Sequence, residues 1–437
     1  MLKSLDYTLI IVVSALVLFG LVVIGSATLE FTGDSFSRLQ DTNVLVRFLY
    51  LDYTYILKQL IWFLIGIVFM GVIIYIPYED LLKHTRLLYI FNLFILGAVL
   101  VTGHMAYGAQ RWIDVGPFAF QPSEFSKVLM IITFTGFLVK RQGNLARVRD
   151  LFPCFIYVGI PVILVLKQPD LGTSLVFIAV MFSMLFFAGA RSSILLGTLG
   201  AGMALVAGLF LAHMYLHDLD LQGKEQLAAL ERERQVATEH LRRQELDEKY
   251  QQLSEKYKKA RELHEEYHNY TLKEYQMTRL LIFLNPNSDL LGAGYHIWQS
   301  LIAIGSGGLA GKGLLGGTQS HLTFLPVRHT DFIFSVVGEE FGFLGTLVLL
   351  GLFLVIITRG IGIALDARDL TGTLLAMGVV SMFAFHVFVN VGMTTGIMPV
   401  AGIPLPFFSY GGSNMIMSMM AMGLLLNVHV RRRKILF

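Results

Sequence analysis

Long apolar runs dominate the chain and are separated by short polar segments. A transmembrane helix needs about 20 mostly apolar residues, within a range of about 17–25. Ten runs approach or reach this length, so the pattern predicts an all-α, polytopic membrane protein with ten membrane-spanning helices. The predicted spans lie at roughly 8–28, 57–76, 86–104, 122–139, 152–167, 171–189, 193–214, 332–357, 374–396 and 407–429.

Composition supports this class and excludes others. The chain has 437 residues, of which 55% are hydrophobic and only 15% are charged, and its mean hydropathy is +0.64. These values are not those of an ordinary soluble domain. The single cysteine, Cys154, excludes a disulfide framework and a cysteine-based metal cluster. The net charge of +3 is small and gives no reason to expect a nucleic-acid partner.

The basic residues of the short loops predict the orientation in the membrane. Cytoplasmic loops of membrane proteins carry an excess of Lys and Arg. If the N-terminus is cytoplasmic, the short segments on the inside hold many Lys and Arg residues, and the short outside segments keep only scattered ones such as Arg38, Arg47, Arg111 and Lys167. The inside residues are Lys140, Arg141, Arg147, Arg149, Arg191, Arg359, Arg368, Arg431, Arg432, Arg433 and Lys434. Both termini are therefore expected in the cytoplasm, and residues 305–331 on the extracytoplasmic face.

The longest polar region contains a charged insert at 218–274, rich in Glu, Lys, Arg and Gln. Its apolar residues recur with the 4,3 spacing of a coiled-coil seam, at Leu246, Tyr250, Leu253, Tyr257 and Ala260. We expect a long amphipathic helix or a helical hairpin, serving either as a partner-binding arm or as a solvated stalk. The predicted division is helices one to seven at 1–214, an extracytoplasmic loop at 215–331 that ends in a catalytic loop at 285–331, and helices eight to ten with a basic tail at 332–437.

Asp331 directly precedes the apolar run of span eight. A carboxylate beside hydrocarbon is costly and so indicates a functional site, but Asp is also a favoured helix N-cap, and the spacing alone does not separate the two. The basic residues nearby, Lys312 and Arg328, together with His329, favour a platform for an anionic substrate. The glycine-rich tract before them is expected to let backbone approach a ligand closely, because glycine has no Cβ.

A second polar cluster falls on the same predicted face, around the start of span four. Arg111 and Trp112 lie on the preceding loop, and Glu124 and Lys127 stand three residues apart on the helix. Residues at this spacing can form an ion pair inside the membrane. The ordinary alternatives are an interface anchor for Trp112 and a purely structural pair for Glu124 and Lys127.

Two further clusters join it. Asp170 lies at the turn between spans five and six. The segment 398–413 carries Ser409 and Tyr410, and its prolines and glycines favour a re-entrant loop that lines a cavity over lipid-exposed backbone. Each cluster alone is a weak signal, but four on one face favour an outward-facing binding cavity.

Five motifs within these clusters resemble the SEDS family of bacterial cell-wall polymerases, over nearly the whole chain. They are QPSEFSK at 121–127, KQPDLGTS at 167–174, NPNSDLLGAGYHIWQS at 285–300, GKGLLGGTQSHLTFLPVRHTDFIFSVVGEEFG at 311–342 and GIPLPFFSYGGS at 402–413. The stretch before HTDF looks like the elongation-type members, with the division-type polymerase as the alternative. The insert at 218–274 departs from the usual pattern but interrupts none of the motifs.

The resemblance implies a peptidoglycan glycosyltransferase that polymerises lipid II, a disaccharide-pentapeptide on undecaprenyl pyrophosphate. The family's essential aspartate falls on Asp331, which would be the general base in an inverting displacement of undecaprenyl pyrophosphate. Cations would compensate the departing pyrophosphate, and arginine suits phosphate best. The candidate binding residues are Arg111, Lys127, Lys312, Arg328 and His329. The candidate supporting residues are Trp112, Glu124, Asp170, Ser409 and Tyr410.

The resemblance also implies partners: the lipid-linked glycan and a class B penicillin-binding protein, a transpeptidase. No tightly bound cofactor is expected, and a divalent cation, Mg²⁺ or Mn²⁺, stays open. Two alternatives from other classes remain. Ten spans with intramembrane charges also suit a lipid II flippase or transporter, and the charged insert also suits a scaffold that recruits an enzyme.

Overall fold

The structure is a computed structural model that describes residues 5–29, 46, 48–106, 109–115, 118–236, 240–270, 274–285, 294–322 and 324–432. Helices dominate these residues. They are α1 (Tyr7–Ala27), α2 (Tyr53–Tyr75), α3 (Tyr78–Lys83), α4 (Thr85–Thr102), α5 (Pro122–Val139), α6 (Val148–Lys167), α7 (Leu171–Phe187), α8 (Ser192–Val236), α9 (His240–Tyr270), α10 (Glu274–Leu284), α11 (Tyr295–Gly307), α12 (Thr318–His321), α13 (Ile333–Leu365), α14 (Leu370–Thr394) and α15 (Gly412–Val430).

Eight of the described helices are long and apolar enough to cross a membrane: α1, α2, α5, α6, α8, α13, α14 and α15. Two shorter apolar helices, Thr85–Val101 and Leu171–Phe187, coincide with the predicted third and sixth spans. The predicted class, an all-α multi-pass membrane protein, is confirmed, while the number of ten spans stays a prediction.

Capping aspartates begin three of the long helices, with Asp52 at the start of α2 as one of them. Asp6 accepts a hydrogen bond from the backbone of Leu9 at the start of α1, and Asp369 accepts one from Gly372 at the start of α14. Asp6 also pairs with Arg359, whose Nε lies 3.1 Å from its Oδ2. That pair ties the beginning of α1 to the far end of α13.

The centre of the bundle is formed by α5, α14 and α15. Burial covers 78% of the span in α5, 72% in α14 and 89% in α15, against 11% in α2. Polar side chains on these three helices therefore face protein instead of lipid. The buried polar residues of α5 include two of the predicted site residues, Glu124 and Lys127.

Helix α13 is interrupted near its beginning. Gly342 has φ 66° and ψ −161°, outside the helical region, a conformation that glycine adopts at least cost. The glycine tract pairs with the exposed backbone there, and the N–H of Lys312 donates to the carbonyl of Glu339 at 3.0 Å. Span eight, predicted at 332–357, is thus two helical segments joined at Gly342.

The charged insert belongs to a separate compact unit, Ser192–Thr278, distinct from the unit formed by Met1–Arg191 and Arg279–Phe437. Its first helix, α8, runs unbroken for 45 residues from predicted span seven into the insert. The predicted domain boundary at 214 therefore falls inside one continuous helix, and the structure divides the chain at 191 and 278 instead.

Within that unit, α8 and α9 pack as an antiparallel hairpin. The hydroxyl of Tyr257 donates to Oε1 of Gln226 at 3.0 Å, and Arg234 forms an ion pair with Asp247. The two contacts define one register. The sequence predicted either a long helix or a helical hairpin for the insert, and the structure shows the hairpin.

A small antiparallel sheet follows α4, which the sequence did not predict. Its strands are β1 (His104–Ala106), β2 (Ala109–Val115) and β3 (Phe118–Phe120), in the order β1-β2-β3. The central strand β2 pairs with both neighbours. It carries Trp112, which pairs with His104, and Arg111, which lies at the irregularity in the register between Gln110 and Trp112.

Candidate active site

Asp331 lies one residue before the cap position of α13. That position is occupied by Phe332, and no side chain caps the helix there, so the N-cap alternative for Asp331 is not what the structure has. The carbonyl of Asp331 accepts a hydrogen bond from Nδ2 of Asn390 at 2.9 Å. The same amide nitrogen donates to the carbonyl of Ile403 at 2.7 Å. One α14 side chain thus holds the Asp331 backbone against the loop that precedes α15.

Ser409 and Tyr410, both predicted as supporting residues, also hold this segment from that loop. The Ser409 hydroxyl donates to the carbonyl of Thr330 at 2.7 Å and accepts from the N–H of Leu405 at 2.9 Å. The N–H of Tyr410 donates to the carbonyl of His329 at 3.0 Å. The loop therefore fixes the carbonyls of His329 and Thr330, next to the Asp331 carbonyl that Asn390 of α14 holds.

His329, two residues before Asp331 in the sequence, packs in a cluster of three aromatic rings. The ring of His329 is 5.6 Å from that of Tyr55 and 5.7 Å from that of Tyr410, and the two tyrosine rings are 5.0 Å apart. Burial, and then the charge of Arg328, lower the pKa of His329 below its ordinary value of 6.5. His329 is therefore neutral at pH 7, and a role as a cation toward pyrophosphate gains no support.

Arg279, on α10, is a site residue that the sequence did not reveal. Its Nη1 donates to the carbonyl of Val400 at 2.8 Å. A Cβ atom on Gly402 would lie 3.4 Å from Oδ2 of Asp331 and 3.7 Å from Nη1 of Arg279. The carboxylate and the guanidinium therefore approach the same point above Gly402. Because Arg279 directly follows a charged insert, it looks in the sequence like one more solvated cation.

Arg111 and Asp170 meet at the turn between α6 and α7. The Arg111 guanidinium donates to the carbonyl of Gln168 at 3.0 Å and to that of Pro169. Asp170 caps α7 by accepting from the N–H and the hydroxyl of Thr173, at 3.1 Å and 2.9 Å. Two predicted site residues from distant parts of the sequence are thus brought together.

Burial and neighbouring charges set the ionisation of Asp331. Burial raises its pKa from 3.8 to about 6, the positive charges of Arg279 and Arg111 oppose that rise, and the negative charge of Asp170 adds to it. A carboxyl with a pKa near 6 is largely ionised at neutral pH and still basic enough to take a proton, as a general base must be. The site therefore combines one activated carboxylate with two arginines.

Lys127 and Glu124 form a buried ion pair on α5. Nζ of Lys127 donates to Oε1 of Glu124 at 2.8 Å and lies 3.0 Å from Nε2 of His386 on α14. Nδ1 of His386 lies 3.1 Å from the carbonyl of Pro404. The ammonium group is a donor only, so Nε2 accepts and Nδ1 donates. Pyrophosphate binding by Lys127 stays a prediction that this pairing does not favour.

Lys312 is paired inside the glycine tract. Its Nζ donates to Oε1 of Glu339 at 2.7 Å and to the hydroxyl of Thr318 at 2.9 Å. Glu339 also accepts from the N–H and the hydroxyl of Ser320, at 3.0 Å and 2.6 Å. The pair secures α12 to the interrupted part of α13, so the predicted role of Lys312 at pyrophosphate likewise gains no support.

Arg328 is buried and holds the end of α1. Its guanidinium donates to the carbonyls of Ala27 and Leu29. Trp112 lies on β2, paired with His104, and is partly buried. Their predicted roles, pyrophosphate binding for Arg328 and cavity support for Trp112, stay predictions.

Part of the glycine tract packs closely against the backbone of α13. A Cβ on Gly307 would lie 1.9 Å from the carbonyl oxygen of Gly338, and one on Gly311 would lie 2.2 Å from that of Glu340. Such contacts are too short for any side chain. At Gly307 and Gly311 the backbone of α13 therefore occupies the space that a ligand would need. Gly305 and Gly308 have no atom within 4 Å of a Cβ position, so for them the expectation of a close ligand approach stays a prediction.

Metal coordination was left open by the sequence. Across the described ranges, no group of three or more His, Cys, Asp and Glu side chains is arranged to hold a metal ion. A role for Mg²⁺ or Mn²⁺ therefore stays open, since one or two carboxylates together with substrate phosphates can also bind Mg²⁺.

Together the bundle and the site define a multi-pass membrane protein with a charged, partly buried site built around one carboxylate. The chain belongs to the FtsW/RodA/SpoVE family, whose model, described as a cell cycle protein, matches residues 6–233 and 265–434. The resemblance to this family, based on the motifs, is thereby confirmed. Residues 234–264, which include most of α9, lie outside the match.

Relatives with established names agree. The chain is 34% identical over 448 residues to the peptidoglycan glycosyltransferase RodA of Treponema pallidum, covering 98% of each chain. It is 36% identical over 368 residues to the peptidoglycan glycosyltransferase MrdB of Escherichia coli K12, covering 84% of each. A chain from a solved peptidoglycan synthase complex, described as coordinating polymerization and crosslinking, matches with a TM-score of 0.67 and 30% identity over 97% of both chains.

Proposed function

We propose that this chain is a peptidoglycan glycosyltransferase that polymerises lipid II into glycan strands during cell elongation. Family membership and relatives named for this activity support the reaction class. The observation that carries the chemistry is Asp331, a carboxyl whose pKa burial raises to about 6 between Arg279 and Arg111.

Asp331 acts as the general base. It takes the proton from the 4-hydroxyl of the acceptor sugar as that oxygen attacks the anomeric carbon of the lipid-linked donor. The new glycosidic bond forms as the bond from carbon to the pyrophosphate oxygen breaks, with inversion from the α to the β configuration. Undecaprenyl pyrophosphate leaves as an anion, so no carboxylic acid is needed to protonate it. This distinguishes the site from inverting glycosidases, which pair a base with an acid.

Arg111 is the predicted cation that the structure best supports for the pyrophosphate. It lies near enough to Asp331 for its charge to lower the pKa of that carboxyl. Guanidinium suits phosphate because its planar fork donates two parallel hydrogen bonds. Lys127, Lys312 and Arg328 bind other parts of the protein. Arg111 also donates to the carbonyls of Gln168 and Pro169, and what distinguishes it from the other three is its effect on the pKa of Asp331. A divalent cation would add positive charge at the same phosphates if it binds there.

The protein acts in the bacterial inner membrane, with both termini cytoplasmic and Asp331 on the extracytoplasmic side. The distribution of loop Lys and Arg residues supports this orientation. A class B penicillin-binding protein is its partner, a proposal supported by the likeness to a chain of a peptidoglycan synthase complex.

Purified protein in detergent or proteoliposomes, incubated with labelled lipid II, tests the reaction. We expect a ladder of glycan chains on a gel, with and without the transpeptidase. Dye-labelled lipid II in proteoliposomes separates the alternative. A flippase moves the lipid across the bilayer without lengthening glycan, and that outcome would overturn the proposal.

A further inference from the structure

Arg279 is anchored beside Asp331 by a contact that fixes its guanidinium. Nη1 donates to the carbonyl of Val400 at 2.8 Å, in the same loop as Gly402. Gly402 has φ +68°, and a Cβ there would lie 3.4 Å from Oδ2 of Asp331. Because glycine has no Cβ, the space next to both charged groups stays open. A guanidinium can bond a carbonyl through one nitrogen and still present others to a carboxylate.

Burial makes each of the two charges depend on the other. Burial lowers the pKa of Arg279 to about 10, and the charge of Asp331 is the first influence that opposes this. Arg279 is likewise the first influence that opposes the effect of burial on Asp331. An ionised group taken out of water is retained only with a partner. The two groups, which are 52 positions apart in the sequence (331 − 279), therefore stabilise each other's charged form.

The other charges around Asp331 come from three elements. Arg111 on β2 attracts the carboxylate, and Asp170 at the start of α7 repels it. His329, on the same segment, has a pKa below 6.5 and is neutral. Arg111 also binds the carbonyls of Gln168 and Pro169. The balance of these groups leaves Arg279 as the main counter-charge of Asp331.

We propose that Arg279 is a positioning residue for the reaction: its guanidinium holds Asp331 ionised and oriented above Gly402, ready to receive the hydroxyl proton. This inference rests on the proposed function for its catalytic consequence, but the ionisation of Asp331 can be measured without any turnover.

Carboxyl labelling measures that ionisation. A carbodiimide reacts with the protonated carboxyl, so the labelling of Asp331, followed by mass spectrometry across a pH series, gives its titration midpoint. Asp331→Asn supplies the blank. We expect a wild-type midpoint near 6. Arg279→Gln and Arg279→Met should raise it by about one unit or more, because an adjacent arginine lowers a carboxyl pKa by about 1–3 units. Arg279→Lys, which keeps the charge, should stay closer to the wild type.

The polymerisation rate of the same proteins is the second readout. The acid limb of the neutral variants should move upward with the labelling midpoint and recover at alkaline pH. Arg242→Gln, an exposed arginine of α9, should leave both unchanged. A midpoint that does not move in Arg279→Gln and Arg279→Met, or that moves as far in Arg279→Lys, overturns the inference. A wild-type protein that makes no glycan overturns the proposed function while leaving the labelling result to stand by itself.

Discussion

The ammonium group of Lys127 lies 3.0 Å from Nε2 of His386, inside the bundle and between α5 and α14. The other partner of Lys127 is Glu124, at 2.8 Å. Both carboxylate and ammonium are almost fully shielded from solvent, with 5% and 2% of their side chains exposed. We therefore expect that removing one partner of this buried ion pair changes the stability of the folded protein more directly than it changes substrate binding.

Lys127→Met should therefore destabilise the folded protein, since it leaves the Glu124 carboxylate buried without its cation. Breaking a buried pair by removing one partner costs about 3–5 kcal/mol. The double variant Glu124→Gln with Lys127→Met should recover part of that loss. Unfolding in detergent, followed by helical circular dichroism, measures both. If Lys127→Met unfolds like the wild type and loses only polymerisation, Lys127 contacts substrate as the sequence predicted.

The interruption of α13 at Gly342 leads to a second prediction, about the stability of Gly342→Ala. A Cβ on Gly342 would lie 2.3 Å from the backbone nitrogen of Gly311, and the residue has φ +66°. Gly342→Ala thus adds both backbone strain and a clash, and should cost at least about 2 kcal/mol. Gly351, on the same helix, has no atom within 4 Å of a Cβ position. Gly351→Ala is the matched control and should be neutral or slightly stabilising.

Thermal unfolding of the two variants decides this point. Equal stability of Gly342→Ala and Gly351→Ala would mean that the glycine tract does not pack on α13 as described. A loss confined to Gly342→Ala supports the close backbone contact.

Apolar patterning was enough to predict most of the fold. The runs that predicted spans one, nine and ten coincide with α1, α14 and α15, because a run of apolar residues in the membrane has few alternatives to a helix. Asp331 was found from the cost of a carboxylate next to such a run. These two inferences depend only on local sequence.

Long-range pairing could not be predicted in the same way. The partners of Lys127 and Arg279, His386 and Val400, are 259 and 121 positions away. The glycine tract gave a composition signal without showing which backbone it would contact. Whether a cation faces a substrate or another part of the protein depends on such contacts. Contacts between residues this far apart cannot be inferred from a single sequence.

The outer part of the α8–α9 hairpin, residues 230–252, should be dispensable for glycan synthesis. Residues 234–264, which include most of α9, lie outside the family match, and Asp331, Arg279 and Arg111 all belong to the other compact unit. Replacing residues 230–252 by a short glycine linker preserves the register set by the Tyr257 to Gln226 contact.

We expect this shortened protein to polymerise lipid II within about twofold of the wild type, since no chemistry is removed. A gel of labelled products measures it. Complete loss of polymerisation by a folded, shortened protein would favour the scaffold alternative, in which the arm itself is the functional element.

The pH dependence of the wild type follows from Asp331. Burial raises its pKa to about 6, and only the ionised form can accept the hydroxyl proton. The rate should therefore be level above neutral pH and fall about tenfold per unit below the midpoint. Initial rates in a pH series check this. A rate that is unchanged down to pH 5 would exclude Asp331 as the titrating base.

The account's central claim is tested most directly by polymerisation of labelled lipid II with purified Asp331→Asn. Asparagine keeps the size of the side chain and removes its basicity, so the account predicts a loss of at least about 100-fold in a protein that inserts and unfolds like the wild type. Asp80→Asn, an exposed carboxyl on α3, should polymerise normally. Chains of wild-type length and yield from Asp331→Asn would contradict the assignment of Asp331 as the base.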